Sequence, residues 1–319
     1  MSLHVRVFAP ATVANLGPGF DVLGLALERP GDIVEAELSP RPGVEIVEVS
    51  GDGGALSTNP NQNVAGRAAA DVLRRAVKSG LVGADGRGLR LWVHKQMPLA
   101  SGLGSSGASS VAAAVAANAV LGQPFAKHDL LPSAMEGERT ATGSPHADNV
   151  APSLLGGVVL IRSYEPLEIV SLPVPASLWI AVAHPHYQLS TATARQVVKR
   201  HQYSIAEIVA NLGNLGAFVA ALHNGDVALL GRSVEDVLVE PLRAPLIPGF
   251  PQVKAAARAA GGLGCSIAGA GPSVFALCAS QAAAEQSGAA MCDAFRTAAE
   301  VGCDLFVGQV SRTGAQLLE

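Results

Sequence analysis

One stretch, Leu89 to Leu121, leaves this chain few folds to choose from. It opens with Leu89-Arg90-Leu91-Trp92-Val93-His94, which reads as a strand, and closes with an alanine-rich run, Val111 to Leu121, which reads as a buried helix. Between them, Ser101 to Ser109 holds three glycines and four serines directly before the helix. The first N–H groups of a helix lack partners within it and sit at the positive end of its dipole, so a glycine loop there makes a phosphate site. Gly102, Gly104 and Gly107 permit close backbone approach and positive φ, while the serines add hydroxyl donors and an oxygen for a hard cation. Gly102-x-Gly104-x-x-Gly107 also fits a dinucleotide fingerprint, but the loop is long for one. The region about 20 residues on, Gln123 to Asp129, is not a second strand ending on an acid. A Walker-type loop needs Gly-Lys, a dipeptide absent from the chain. Against a merely flexible turn stand Pro98 before the loop and the tight helix after it.

The 319 residues suit one two-lobed enzyme, and 49% hydrophobic residues supply a large core. Aromatics are only 4%, so aliphatic and alanine packing dominates. A net charge of −4 gives no electrostatic case for nucleic acid or an anionic membrane. The longest apolar run, interrupted by Asn118, falls short of the ~20 residues that span a bilayer, and the N-terminus alternates like a strand. A soluble, cytoplasmic protein is expected. Cys265, Cys278, Cys292 and Cys303 form no C-x-x-C pair, which predicts buried free thiols and no zinc.

Other segments hold more chemistry than turns need. Asn15 and Asp21 stand in a Gly/Pro loop between the apolar runs Val5–Phe8 and Val22–Leu27. Asn63 precedes an amphipathic helix, Val64 to Val77, and reads as its cap. Leu130 to Thr140 is helical in pattern, with Glu136 and Glu138 on different faces. Gly143 to Gly157 reads as a loop carrying His146, Asp148 and Asn149, followed by a strand from Val158. Thr191 and Arg195 share a face if a helix starts there. Helices are expected over Ile205–His223 and Val227–Val237, then an ordered proline-rich loop from Asp236 to Phe250 containing Arg243. Gly261 to Leu277 reads as strand, glycine turn, strand.

The run P-L-A-S-G-L-G-S-S-G-A-S from Pro98 resembles the phosphate-binding motif of the GHMP small-molecule kinases. A-P-A-T-V-A-N-L-G-P-G-F-D from Ala9, H-A-D-N-V-A-P from His146, and E-P-L-R with P-L-I-P-G-F from Glu240 resemble homoserine kinases within that superfamily. Thr12-Val13 departs from the Ser-Ser or Thr-Ser pair common in the first motif. The Gly261–Leu277 segment resembles the third GHMP motif, and the likeness covers almost the whole chain.

The resemblance implies a mixed α/β (α+β) fold with two lobes. The first, residues 1–160, would be an ATP-binding α/β lobe with a left-handed βαβ unit; the second, residues 161–319, a ferredoxin-like α+β lobe. It implies ATP-dependent phosphorylation of the homoserine side-chain hydroxyl in threonine biosynthesis, with Mg²⁺ and no nucleic-acid or membrane partner; a homodimer is one assembly open to it. By resemblance, ATP lies against Asn63, Pro98, Ser101, Gly102, Leu103, Gly104, Ser105, Ser106, Gly107 and Ser109, with Ser106 and Glu138 on the metal. Asp21 takes the substrate ammonium and Arg195 and Arg243 its carboxylate, with Asn15, His146, Thr191 and Gly269 around it. Asn149 stands near the reacting hydroxyl, and Asp148 is the rival base. The alternatives are a GHMP kinase of another small alcohol, such as a mevalonate-pathway intermediate, and a non-catalytic sensor of the same fold.

Overall fold

The structure is a computed structural model and describes residues 4–81, 88–142 and 146–319. Met1 to Leu3 and Gly143 to Pro145, parts of segments read above, lie outside the described residues.

The first lobe grows from two long antiparallel strands, β1 (His4–Ala14) and β2 (Leu23–Ser39). Val7, Ala9, Ala11 and Val13 of β1 are fully buried, and its register shifts between Pro10 and Thr12, just where the strand reaches the site. Strand β3 (Gly43–Ser50) runs parallel to β4 (Gly88–His94), and helix α1 (Val64–Lys78) makes the crossover between them. Helix α2 (Ser105–Val120) is buried around nearly its whole circumference. Its alanines pack on the sheet on one side and against α1, α3 (Leu131–Thr142) and α4 (Ala147–Leu155) on the others. Strands β5 (Val158–Tyr164) and β6 (Leu167–Leu172) extend this sheet from the start of β2, running across residue 160.

The second lobe begins at β7 (Trp179–Pro185) and passes through α5 (Thr191–Lys199), α6 (Ile205–Asn224), α7 (Val227–Arg232), α8 (Glu240–Arg243) and α9 (Phe250–Ala259). Strands β8 (Gly264–Ile267) and β9 (Val274–Cys278), helix α10 (Gln281–Ala299) and β10 (Cys303–Gly308) complete it. Its sheet is antiparallel throughout in the order β10-β7-β9-β8, the ferredoxin-like arrangement expected. The chain then returns to the first sheet, where β11 (Gln316–Leu318) pairs with β1.

Three expectations change. Residues 147–155 are helix α4, not loop, although Pro152 lies inside it. Proline leaves the Asp148 carbonyl without its helical partner, and Gly24 of β2 lies against that carbonyl where no Cβ would fit. Helix α7 stops at Arg232 with Ser233 as its C-cap, the Ser233 hydroxyl donating to the Leu229 carbonyl (2.7 Å). The proline-rich loop folds as α8 and a 3₁₀ turn, with Asp236 accepting from the N–H groups of Leu238, Val239 and Glu240. Helix α6 forms where expected, over Ile205–Asn224. It is tied to the fold by Asn211, which donates to the Pro18 carbonyl, and by Asn214, which donates to that of Glu235.

Candidate active site

Both lobes contribute walls to one cavity of about 370 Å³. Its floor is the glycine loop. Gly104 is the N-cap of α2 in the left-handed region (φ 65°), with no side chain capping the helix, so the first N–H groups of α2 are left for a ligand. A Cβ on Gly104 would run into the Thr12 hydroxyl and the Asn149 amide. The loop is held from the other lobe: a Cβ on Gly102 would lie 2.6 Å from the Ala268 carbonyl oxygen and 2.7 Å from that of Gly271. The Ser273 hydroxyl donates to the Ser101 carbonyl (2.6 Å) and touches His184 Nδ1 (3.0 Å).

Ser101, Gly102, Gly104, Ser105, Ser106 and Ser109 line this cavity, and so does Asn63. Asn63 also caps α1, accepting from the Ala65 N–H (2.9 Å) and donating to the Ser57 carbonyl (2.9 Å). Pro98, Leu103 and Gly107 are not on the wall. Leu103 is fully buried and its carbonyl accepts from the Thr12 N–H, while Gly107 lies against Asn149. These three shape the loop from behind.

Beside the loop, side chains distant in sequence meet. Arg195 Nη2 donates to both carboxylate oxygens of Asp21 (2.9 and 3.1 Å) and lies 3.0 Å from His146 Nδ1. Asn15 Oδ1 accepts from the Asp21 N–H (3.1 Å). Its amide donates to the Gly269 carbonyl (2.9 Å), which also accepts from Arg243 Nη1 (2.8 Å). Both guanidiniums lie over the Phe20 ring, at 5.7 and 5.2 Å. Thr191, one turn before Arg195 on α5, completes this wall. Burial, and then the Arg195 charge, holds His146 down to about 4, so the ring is neutral at pH 7. Burial lowers Arg243 to about 10, which still leaves it charged.

Two carboxylates face the cavity between loop and cluster. Glu136 turns away to pair with Arg67 (2.7 Å), and Glu138 is buried and hydrogen-bonded to Ser106. Asp148 is buried, and its Oδ1 has no hydrogen-bond partner among the described residues. Burial pushes each to about 7, with the neighbouring negative charges adding to it. Asn149 accepts from the Thr12 hydroxyl at 2.8 Å. A helix N-terminus for phosphate, paired carboxylates, and a cluster holding one anion and two cations suit phosphoryl transfer to a small zwitterion.

The chain matches the family models "GHMP kinases N terminal domain" over residues 63–157 and "GHMP kinases C terminal" over residues 218–297. It is 44% identical to the homoserine kinase of Chlorobium phaeobacteroides (strain BS1), over 98% of this chain and 99% of that one. The chain belongs to the homoserine kinases. The homoserine kinase of Arabidopsis thaliana is 41% identical over 99% of this chain and 85% of its own length. The crystal structure of homoserine kinase from Cytophaga hutchinsonii superposes with a TM-score of 0.93 at 48% identity, covering 99% of this chain and 97% of that one. Mevalonate kinase from L. major shares the fold alone, with a TM-score of 0.72 at 17% identity over 97% of each chain.

Within this homoserine kinase the sequence reading missed one buried assembly. Lys95, just beyond β4, pairs with Asp32 of β2 and donates to the Ser105 carbonyl (3.0 Å), the Ser105 hydroxyl (2.7 Å) and the Ser109 hydroxyl (2.8 Å). Ser109 in turn donates to Asp32 (2.7 Å). A fully buried ion pair thus anchors the start of α2 to the sheet, with Lys95 on the cavity wall. The available signal was an Asp and a Lys each next to an apolar strand, where a buried charge needs a partner.

Proposed function

We propose that the enzyme transfers the γ-phosphoryl group of ATP to the side-chain hydroxyl of L-homoserine, giving O-phospho-L-homoserine for threonine synthesis in the cytoplasm. The supporting observation is that the bare N-terminus of α2 and the Asp21–Arg195–Arg243 cluster open into the same cavity. Residues 1–160 would supply the nucleotide lobe and residues 161–319 much of the amino-acid wall.

Asp21 and Arg195 satisfy each other, while the buried Arg195 Nε has no hydrogen-bond partner among the described residues. A zwitterion would insert between them, its ammonium on Asp21 and its carboxylate on the Arg195 and Arg243 guanidiniums. Thr191 and His146 close the sides, and Asn15 and Gly269 fix the pocket's shape. The hydroxyl end then points toward Asp148 and Asn149. Asn149 has its Oδ1 engaged by Thr12 and an amide cannot take a proton at neutral pH, so it orients the hydroxyl. Asp148, held near 7 with Oδ1 unpartnered among the described residues, can accept the hydroxyl proton as the oxygen attacks phosphorus.

Ser106 and Glu138 fit a magnesium ion: both line the cavity, both offer oxygen ligands, and they are hydrogen-bonded together. When bound, Mg²⁺ neutralises charge on the ATP phosphates. An ATP-consumption assay with homoserine, mevalonate and galactose tests the assignment. Homoserine should be turned over well ahead of the other two; faster turnover of mevalonate contradicts it.

A further inference from the structure

The four thiols are of two kinds. Cys265 on β8 and Cys278 at the end of β9 are buried, and burial pushes them up to about 12 and about 11. Their strands pair, yet Cys265 stands opposite Ala276, so these two are not cross-strand partners. Cys292 on α10 and Cys303 at the start of β10 are only half-buried, and their Sγ atoms lie 2.8 Å apart. All four are free thiols as expected, but the expected burial fails at Cys292 and Cys303.

The chain brings them together by reversing direction after α10. Glu300 adopts the left-handed conformation that ends the helix (φ 57°), and the Val301 N–H donates back to the Phe295 carbonyl (3.4 Å). Each cysteine is carried by an element that is fixed independently. Met291, beside Cys292, and Phe295 are buried in the second core, and Cys303 is in register with Pro185 of β7. Closing a bond from 2.8 Å asks for a movement of less than about 1 Å. Neither residue lines the active-site cavity.

We propose that Cys292 and Cys303 form a redox modification site, a native thiol pair that a small-molecule disulfide closes and a dithiol reopens. The Cys292 thiolate attacks one sulfur of glutathione disulfide, and one glutathione thiolate leaves. Cys303 then loses its proton and attacks the Cys292 sulfur of the mixed disulfide, expelling the second glutathione thiolate. Two protein thiols are oxidised to one disulfide, and glutathione disulfide is reduced to two thiols. The order of attack follows the contact itself: the Cys303 neighbour lowers the Cys292 thiol, and Cys292 raises that of Cys303.

The full chain, equilibrated with glutathione disulfide and then quenched, should lose two of its four titratable thiols in denaturant. Its mass should drop by two hydrogens, and peptide mapping should join Cys292 to Cys303. Thermal unfolding of the oxidised protein should occur at a higher temperature than that of the reduced protein, with the difference reversed by dithiothreitol and absent in Cys292→Ser. Stable glutathione adducts on separate cysteines, bridging through Cys265 or Cys278, no oxidation, or a cross-link that lowers the unfolding temperature would each overturn the proposal.

Discussion

Replacing Asp21 with asparagine separates substrate recognition from folding. The side chain is 32% exposed and its partner Arg195 25%, so in the free enzyme their pairing is worth only about 0–1 kcal/mol. Asparagine is nearly isosteric and tolerates the left-handed backbone at this position (φ 59°). The backbone bonds to Asn15 and Tyr164 do not involve the side chain and survive. Unfolding temperature should therefore barely move. What disappears is the charge-assisted bond to the substrate ammonium, roughly 1.5–3 kcal/mol. At about 1.4 kcal/mol per decade, kcat/KM for homoserine falls roughly ten- to hundredfold. The KM for ATP, set by the α2 loop, should stay near wild type. The assay compares kcat/KM for homoserine and 4-hydroxybutyrate, which lacks the amino group, in both proteins. Wild type should prefer homoserine strongly and Asp21→Asn much less. An unchanged preference, or a matching loss of ATP affinity, would refute the assignment of Asp21.

Ser106→Ala should lower kcat tenfold or more, roughly 1.4 kcal/mol of transition-state stabilisation, with the unfolding temperature intact; near-normal kcat at saturating Mg²⁺ contradicts its role. Gly104→Val forces a β-branched residue to positive φ and into Thr12 and Asn149, so calorimetry with a non-hydrolysable ATP analogue should show no binding. Asp148 keeps its proton to about 7 in the fold but to about 4 when unfolded, so the stability it adds at low pH is lost as pH rises between those values. Asp148→Asn should reduce the slope of the unfolding-temperature profile across that window, leaving the part due to Glu138, and cut kcat; a wild-type slope in the mutant would show that Asp148 does not titrate there.

Where glycine and proline mark a required backbone shape, the site was legible. The α2 loop and the Gly269–Gly271 turn must carry positive φ and press on each other, and that demand is written in local sequence. Asn15 and Asp21 stood out as polar groups among apolar neighbours. Their meeting with residues more than 170 positions away leaves no trace in spacing; the family likeness put Asp21 and Arg195 in one pocket with separate roles, and their direct ion pair was not foreseen. Lys95 and Asp32 went unread for the same reason: one is a lone charge just past β4 and the other lies within β2, and only the β2–β4 pairing brings them together. Helix α4 was hidden by Pro152, whose missing N–H ordinarily argues for a loop. The Cys292–Cys303 contact depends on a helix reversal at Glu300, which has no glycine to announce it.

The most direct test of the central claim is a crystal structure of the enzyme with homoserine and a non-hydrolysable ATP analogue. The account predicts the Asp21–Arg195 pair opened, the ammonium on Asp21, the carboxylate on Arg195 and Arg243, and the hydroxyl between Asp148 and the γ-phosphate above α2. Homoserine bound elsewhere with that pair still closed would contradict it.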